Sequence, residues 1–293
     1  AAELLGVSAG DVIVCSTGLI GTGDEVFRGK VLDGVRAAVP ALSAQGGDDA
    51  AHAIMTTDSV PKQALVVGDR WSIGGMAKGA GMLAPALATM LVVITTDAVL
   101  TPDQLDEHLR AATSVSFDRL DSDGCTSTND QVTLLASGAS GIAPDPQAFR
   151  AALTELATSL ARQLMADAEG ASHEVLIEVI GAATEADAVE VGRSVARNNL
   201  FKAAVFGNDA NWGRVLAAIG TTAAAFDPYD VDVWMNGVRV CTAGGPDRPR
   251  EDVDLMPREL LLTIDLRVGD ATATIMTNDL THDYVHENSA YSS

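Results

Sequence analysis

The sequence predicts an α+β fold in which helices and antiparallel strand pairs alternate as packed layers. Three observations support this prediction: apolar residues recur at helical spacing after Asp145, short β-branched runs recur between turn residues, and neither a βαβ unit nor another internal repeat is present. In a chain of 293 residues, 47% hydrophobic and 20% charged residues are typical of a globular protein with a sizeable core.

The first part of the chain contains short strands joined by glycine-rich turns. We expect a strand over residues 12–15, followed by a glycine turn and a helix over 31–39. Residues 64–73 are typical of a hairpin, and the two glycines at 74–75 predict the start of a glycine-rich connection. The apolar run 90–94 then predicts a buried strand.

Helices become longer in the second part of the chain. Asp145 with the proline after it predicts the start of a long amphipathic helix, because Phe149 and four leucines recur there every three or four residues. We expect this helix to end near Gly170, which can adopt the left-handed closing conformation. The remaining elements are expected in this order: a strand over 175–180, a helix over 185–197, and two hairpins with tight turns at 236–237 and 269–270.

The charge balance excludes whole classes of partner. The chain carries 19 Lys and Arg against 40 Asp and Glu, a formal charge of −21. A surface of that sign repels phosphate, so we expect no nucleic-acid partner. The longest apolar run, 90–94, is far shorter than the ~18 to 20 residues that span a bilayer, so we expect no membrane partner either.

The cysteines indicate where in the cell the protein is located, and the first residues indicate whether the chain is complete at its N-terminus. Cys15, Cys125 and Cys241 are an odd, widely spaced set without a CxxC pair, which indicates free thiols and a cytoplasmic location. The chain begins without Met, and residues 1–6 resemble the end of a helix rather than a signal peptide. We therefore expect that a segment upstream of residue 1 is missing.

Residues 16–23 (STGLIGTG) allow three interpretations. Their glycines are spaced GxxGxG rather than GxGxxG, and no GKT or GKS follows, which disfavours a dinucleotide or phosphate loop. Thr17 and Gly18 could instead present a hydroxyl and a backbone N–H to a developing oxyanion. A glycine turn with a capping threonine explains the same residues.

Two patterns that suggest metal ligands do not fit a metal site. The carboxylates over 118–130 are out of register with an EF-hand loop, which would need an oxygen ligand where Arg119 stands. His282 and His286 are four residues apart, but no Glu follows the first histidine and no third ligand is evident. We expect no metal.

Thr89 stands where a self-cleaving enzyme would place its nucleophile, after Ala88 and a glycine-rich loop and at the start of the predicted strand 90–94. Cleavage before Thr89 would give its hydroxyl a neighbouring α-amine with an ordinary pKa of ~7.7 to 8.0, able to act as general base near neutral pH. From the residue chemistry alone, a threonine that merely begins a strand is the simpler explanation.

Five stretches together resemble the ornithine acetyltransferase family of arginine biosynthesis. They are 55–58 (MTTD) with 61–62 (PK), 74–82 (GGMAKGAGM) running on to 88–91 (ATML), 123–130 (DGCTSTND), 206–214 (FGNDANWGR) and 284–291 (YVHENSAY). The resemblance covers essentially the whole chain. It implies a layered α/β/β/α fold of the N-terminal-nucleophile type and a precursor cut between Ala88 and Thr89, so that residues 1–88 are the C-terminal part of an α chain and residues 89–293 are the β chain.

The resemblance also implies a ping-pong acetyl transfer. Thr89 takes the acetyl group from N2-acetylornithine, ornithine leaves, and glutamate receives the group as N-acetylglutamate. Thr17 and Gly18 match the oxyanion pair of the family. The positions that match its substrate contacts are Thr56, Lys78, Thr89, Glu169, Asn288 and Ser293. No metal or organic cofactor is implied, and the cleaved chains are expected to form an α2β2 heterotetramer; acetyl-CoA as a second donor stays open.

The residue chemistry is compatible with this assignment. Lys78 is a cation in a glycine-rich stretch with no carboxylate nearer in sequence than Asp69 or Asp97, which suits a substrate carboxylate, and Glu169 at a helix end suits an amine. Cys125 stands where many family members carry Asp, which concerns local packing. Two alternatives remain: an N-terminal-nucleophile amidohydrolase or aminopeptidase that passes the acyl group to water, and a non-enzymatic acidic α+β binding domain.

Overall fold

The computed structural model describes residues 1–18, 23–84, 90–127 and 129–290. The helices are α1 (Ala2–Leu5), α2 (Glu25–Ala38), α3 (Gly47–Ala53), α4 (Pro102–Thr113), α5 (Pro146–Ala166), α6 (Glu185–Ala196), α7 (Asn199–Phe206), α8 (Trp212–Ile219) and α9 (His282–Ala290). The strands are β1 (Lys62–Val67), β2 (Ser72–Lys78), β3 (Leu91–Thr96), β4 (Gln131–Ala136), β5 (Glu174–Ala182), β6 (Asp232–Met235), β7 (Val238–Thr242), β8 (Gly245–Pro246), β9 (Glu259–Asp265) and β10 (Ala271–Asn278).

The strands form two mixed sheets. The first has the order β1-β2-β3-β4, with antiparallel pairs except for the parallel pair β3-β4. The second has the order β10-β5-β9-β6-β7-β8, in which only β5 and β9 are parallel. Helices α4 and α5 accompany the first sheet, and α6 and α8 the second. This arrangement confirms the predicted α+β class of packed layers.

Helix α5 shows how the sequence produces its packing. Asp145 accepts hydrogen bonds from the backbone N–H groups of residues 147 and 148, at 3.0 and 2.9 Å, and so caps the helix as predicted. The predicted stripe of Phe149 and four leucines is fully buried against β1 and β2. Burial of each such side chain contributes about 1.5–3 kcal/mol, so the stripe fixes α5 on the first sheet.

The connection expected at residues 74–75 is instead part of strand β2. A Cβ atom at Gly75 would lie only 3.0 Å from side-chain atoms of Leu156 and Leu160 on α5. The glycine therefore lets the helix approach the strand closely, which is a packing requirement and not a turn signal.

The hairpin expected at residues 269–270 is wrong. Strand β5 lies between β9 and β10, pairing with β9 in parallel and with β10 antiparallel. The chain leaves β9, passes Gly269 next to the carbonyl of Ala182, and returns on the far side of β5. The hairpin at 236–237 is confirmed, because β6 pairs directly with β7.

The predicted strand 12–15 is also wrong. These residues form no strand, and Val14 is 77% exposed. A strand needs a hydrogen-bonding neighbour, and none of the strands in the described ranges lies beside this segment. The helix that follows starts earlier than expected, at Glu25, because the Asp24 side chain caps it by accepting from Phe27 N at 2.8 Å. Within the described ranges, no helix is both long and apolar enough to cross a bilayer.

Candidate active site

Three of the residues singled out by sequence lie outside the described residues: Ala88, Thr89 and Ser293. The positions of the others are set by four parts of the fold. The first is the end of β2 with Lys78, together with the adjacent loop that contains Thr56. The other three are the turn after α5 with Glu169, helix α9 with Asn288, and the N-terminal segment with Thr17 and Gly18.

Lys78 is the last residue of β2 and is 1% exposed. Its Nζ donates to Oγ1 of Thr56 at 3.0 Å, so the structure brings these two predicted site residues together. Across the sheet Lys78 pairs with Leu91, the first residue of β3. The ammonium therefore lies at the end of the first sheet where β3 begins. In the chain, β3 begins two residues after position 89.

A buried carboxylate organises this end of the sheet. Asp58 accepts from Gly79 N and from Lys62 Nζ, both at 2.6 Å, and from Thr56 N at 3.0 Å. Burial alone raises the pKa of the Asp58 carboxyl, but these three donors outweigh it and hold the pKa below its ordinary value. Asp58 therefore stays ionised and holds the backbone N–H groups of Gly79, which follows Lys78, and of Thr56, whose hydroxyl accepts from Lys78.

Lys62 completes the buried charge network. Its side chain has no exposed surface, and its Nζ lies 2.6 Å from Asp58 Oδ1 and 2.6 Å from Asp167 Oδ2. Lys62 pairs with Ala77 across β1 and β2, one residue before Lys78. Two buried lysines thus lie on adjacent strands of the first sheet, and Lys62 is held in the fold by ion pairs.

The surroundings of Lys78 correct one sequence-based expectation. Burial lowers the pKa of its ammonium, and the negative charges of Asp58, Asp130 and Glu169 act in the opposite direction. The sequence suggested that no carboxylate lies close, because it compared only chain neighbours. Carboxylates from three distant segments face Lys78, and the net effect still leaves its pKa below the ordinary value.

Glu169 reaches the same region through the loop that follows Lys78. The Glu169 backbone N–H donates to Ala80 O at 2.9 Å. A Cβ atom at Gly81 would lie only 2.5 Å from Oε2 of Glu169, so the glycine leaves room for this carboxylate. Glu169 is 8% exposed and borders a cavity of about 230 Å³. One loop therefore contacts both the predicted carboxylate-binding lysine and the predicted amine-binding glutamate.

Helix α9 packs beside Glu169. The next residue, Gly170, has φ +62°, and a Cβ atom there would lie 2.2 Å from Tyr284 N, so α9 begins in close contact with this turn. Asn288 lies one turn further along α9 and donates from Nδ2 to Tyr284 O at 3.0 Å. The structure thus places Asn288 on the helix next to Glu169, at an exposed position.

The segment of Thr17 and Gly18 is tied to the loop before β4. Asn129 donates from Nδ2 to Ser16 O at 3.1 Å, and Asp130 Oδ1 accepts from Met90 N at 2.8 Å. Burial is the main reason that the pKa of Asp130 is raised to about 6, against the opposing effects of the Met90 N–H and the charge of Lys78.

Sequence reasoning missed Asp58, Asn129 and Asp130 as members of the site. All three stand inside stretches that carry the family resemblance, which was the available signal. Their functions depend on which backbone N–H or carbonyl each side chain reaches. Sequence spacing does not encode those contacts.

Metal ligation finds no support in the described part of the chain, where no group of three His, Cys, Asp or Glu side chains could hold an ion. His282 stacks edge-on against Phe206, with ring centroids 5.5 Å apart. A larger, open cavity of about 760 Å³ lies along α6, lined by Arg119, Arg193 and Arg197 among others, and contains none of the residues predicted for the site.

Comparison with known proteins gives a consistent result. The profile of the ArgJ family matches residues 1–293. An arginine biosynthesis bifunctional protein ArgJ from Streptomyces coelicolor is 60% identical over 293 residues, which are 100% of this chain and 76% of that protein. The protein of the same name from Thermobifida fusca is 59% identical over 99% of this chain and 76% of its own. The crystal structure of arginine biosynthesis bifunctional protein ArgJ from Bacillus halodurans is 31% identical with a TM-score of 0.64, covering 69% of this chain and 98% of that one.

Proposed function

The chain belongs to the ArgJ family and is an acetyltransferase of arginine biosynthesis, and we propose that it transfers the acetyl group of N2-acetylornithine to glutamate through an acyl-enzyme on Thr89. One observation carries the residue-level proposal. The same end of the first sheet, where β2 ends and β3 begins, holds Lys78 with its hydrogen-bond partner Thr56. Glu169 reaches this end through its contact with the loop 79–81. A cation and an anion there match the α-carboxylate and the free amine of an amino-acid substrate.

The proposed reaction has two half-steps. The Thr89 hydroxyl attacks the acetyl carbonyl while its own α-amine takes the hydroxyl proton, and the tetrahedral intermediate collapses by breaking the C–N bond. That proton passes to the leaving amine, and ornithine departs. The amine of glutamate then attacks the acetyl ester of Thr89, and its proton passes through the α-amine to the leaving Thr89 oxygen as the C–O bond breaks, which frees N-acetylglutamate. Thr17 and Gly18 are proposed to donate hydrogen bonds to the oxyanion of both intermediates.

Substrate recognition is proposed to divide between the two charged groups. Lys78 and Thr56 bind the α-carboxylate that both substrates share, and Glu169 binds the side-chain ammonium of ornithine. Asn288 and Ser293 are proposed as further substrate contacts because they match family positions. The acyl group stays on the protein, so the proposed reaction uses no metal and no bound organic cofactor.

We further propose self-cleavage between Ala88 and Thr89, giving an α chain that includes 1–88 and a β chain 89–293. The boundary falls between β2 and β3, which are paired through six residue pairs, Lys78 with Leu91 to Ile73 with Thr96. The two products would therefore remain joined through one sheet after the cut.

The wider assignments rest on the family. Two cleaved pairs are proposed to form an α2β2 heterotetramer in the cytoplasm. The relatives are named bifunctional proteins, and we propose that acetyl-CoA is the second donor, which would acetylate the same threonine. An assay with N-acetylornithine or acetyl-CoA as the sole donor separates the two activities.

Denaturing mass spectrometry and product analysis together test the proposal. Wild-type protein should show two fragments and Thr89→Ala a single chain, because alanine lacks the hydroxyl needed for an N→O acyl shift. Wild-type protein should form N-acetylglutamate, and release more than one equivalent of ornithine per site, only when glutamate is present. Acetate release without glutamate would identify an amidohydrolase instead, and an intact wild-type chain without any turnover would identify a binding domain.

A further inference from the structure

Two consecutive side chains in the loop before β4 contact both sides of the proposed reaction centre. Asn129 donates to Ser16 O at 3.1 Å, and Asp130 accepts from Met90 N at 2.8 Å. Ser16 immediately precedes the proposed oxyanion pair, and Met90 immediately follows the proposed nucleophile. The two contacted backbone groups are far apart in sequence, but a single dipeptide holds both.

Covalent geometry makes these contacts relevant to the reaction. Consecutive backbone nitrogens are joined by three covalent bonds and are separated by less than roughly 4 Å, so the N–H group bound by Asp130 lies one residue from the amine proposed as general base. The carbonyl bound by Asn129 belongs to the peptide unit that leads directly into Thr17. A shift of either contact therefore moves a reacting group.

We propose that Asn129 and Asp130 are a positioning pair that holds the oxyanion donors and the nucleophile at a fixed separation during acyl transfer. This inference rests on the proposed function of Thr17, Gly18 and Thr89. Neither residue of the pair touches the reacting atoms in this proposal. Each acts through the backbone group that it holds.

The surrounding hydrogen bonds explain why a side chain is needed at this place. Gln131 N donates to Met90 O at 3.0 Å, which is the first backbone bond between the start of β3 and β4. The Met90 N–H lies at the end of this parallel ladder, and the Asp130 carboxylate is its acceptor. The ladder thus ends on a side chain directly beside the proposed cleavage point.

The hydrogen bond from Asn129 to Ser16 O contributes little to the free energy of unfolding. Asn129 is exposed and Ser16 is exposed, and a hydrogen bond of this kind contributes about 1 kcal/mol. The segment 12–18 belongs to neither sheet, so it depends on such contacts for its position. Misplacement of a catalytic group by about 1 Å can lower a rate roughly 100-fold. A weak contact can therefore have a large kinetic effect at this place.

The test compares four variants of the full chain: Asn129→Ala, Asp130→Ala, Asp130→Asn and Asp145→Ala. Mass spectrometry gives the cleaved fraction, urea unfolding gives stability, and initial rates per cleaved site give kcat and KM for N-acetylornithine and glutamate. Asp145→Ala is the matched control, because Asp145 also accepts from backbone N–H groups but caps α5 away from the site.

We expect Asn129→Ala and Asp130→Ala to lower kcat by roughly 30- to 100-fold with KM changed less than threefold, because the donors and the nucleophile are misaligned while the proposed substrate-binding side chains of Lys78 and Glu169 are retained. Asp130→Asn should stay within about fivefold of wild type, since its amide oxygen can still accept from Met90 N. Asp145→Ala should lose stability and keep kcat.

A kcat within threefold of wild type in Asn129→Ala would overturn the inference even if Asp130→Ala fails to fold, because the exposed Asn129 can be removed without disturbing the core. Equal losses of kcat in Asp130→Ala and Asp130→Asn would also overturn it, because the charge and not the hydrogen bond would then matter. Failure of the proposed function is recognised separately: wild-type protein itself would then show no acetyl transfer.

Discussion

Replacing Lys78 by methionine tests whether its buried ammonium serves substrate binding or the stability of the fold. Methionine preserves the length and the apolar stem of a side chain that is 1% exposed. The substitution removes the hydrogen bond to Thr56 Oγ1, worth about 1 kcal/mol. Asp58 keeps its donors Lys62 Nζ and Gly79 N, each at 2.6 Å, so this buried carboxylate stays compensated.

The stability and activity effects should therefore separate. Loss of the hydrogen bond to Thr56, offset by removal of a desolvated charge, predicts a change in the free energy of unfolding within about 2 kcal/mol. Removing one partner of a desolvated charge pair with the substrate carboxylate predicts a loss of roughly 100-fold or more in kcat/KM. N-acetylornithine and glutamate should be affected alike, because both present an α-carboxylate.

Lys62→Met is the matched control for this prediction. Both lysines are buried on adjacent strands, but Lys62 forms ion pairs with Asp58 and Asp167, each at 2.6 Å. Its removal leaves two buried carboxylates without their cation and should cost about 3–5 kcal/mol of stability. Urea unfolding and initial-rate measurements on both variants provide the comparison.

Destabilisation of Lys78→Met as large as that of Lys62→Met would refute a substrate-binding role, because Lys78 would then be a structural counter-ion. Normal KM values for both substrates in a folded Lys78→Met protein would refute it as well. In that case the carboxylate-binding site would have to lie elsewhere.

Two further perturbations follow from the geometry. Gly81→Ala places a Cβ atom 2.5 Å from Oε2 of Glu169, at the end of a flexible side chain, so the fold should survive while KM for N-acetylornithine rises at least tenfold. Gly74→Ala is the control, because a Cβ atom there meets no atom within 4 Å. Equal KM values in the two variants would contradict the role of Glu169. Burial raises the pKa of the Asp130 carboxyl from 3.8 to about 6. The folded state therefore binds the carboxyl proton more tightly than the unfolded state does. The contribution of Asp130 to stability consequently falls as pH rises from about 4 to above 6. Asp130→Asn does not titrate and should gain stability relative to wild type over that range; urea unfolding at about pH 4.5 and 7.5 measures the difference, and a constant difference would contradict the raised pKa.

Local features of the fold were predictable from sequence because their causes lie within a few residues. The cap at Asp145, the stripe of Phe149 and leucines on α5, and the turn between β6 and β7 were all predicted, and the structure confirms each one. A side-chain cap and a 3.6-residue period act over one or two helical turns, so the sequence displays them directly. The motif resemblance likewise predicted the family that the comparisons establish.

Strand order and the carboxylates around Lys78 were decided by tertiary structure. The turn at 269–270 looks like a hairpin, but β5 inserts between β9 and β10. The two glycines at 74–75 look like a loop, but Leu156 and Leu160 of α5 require the second of them inside a strand. Both outcomes depend on which distant segment packs against the residue, and short-range patterns carry no information about that choice.

The environment of Lys78 shows the same division most directly. The sequence by itself determined that a lysine lies in a glycine-rich stretch shortly before Thr89, within a recognisable motif. Only the folded chain decided that Asp58, Asp130 and Glu169 face that lysine and that Asp58 accepts from the backbone N–H groups of Thr56 and Gly79. The physical reason is that charge interactions depend on distance in space and on burial, and both are set by the packing of the whole sheet.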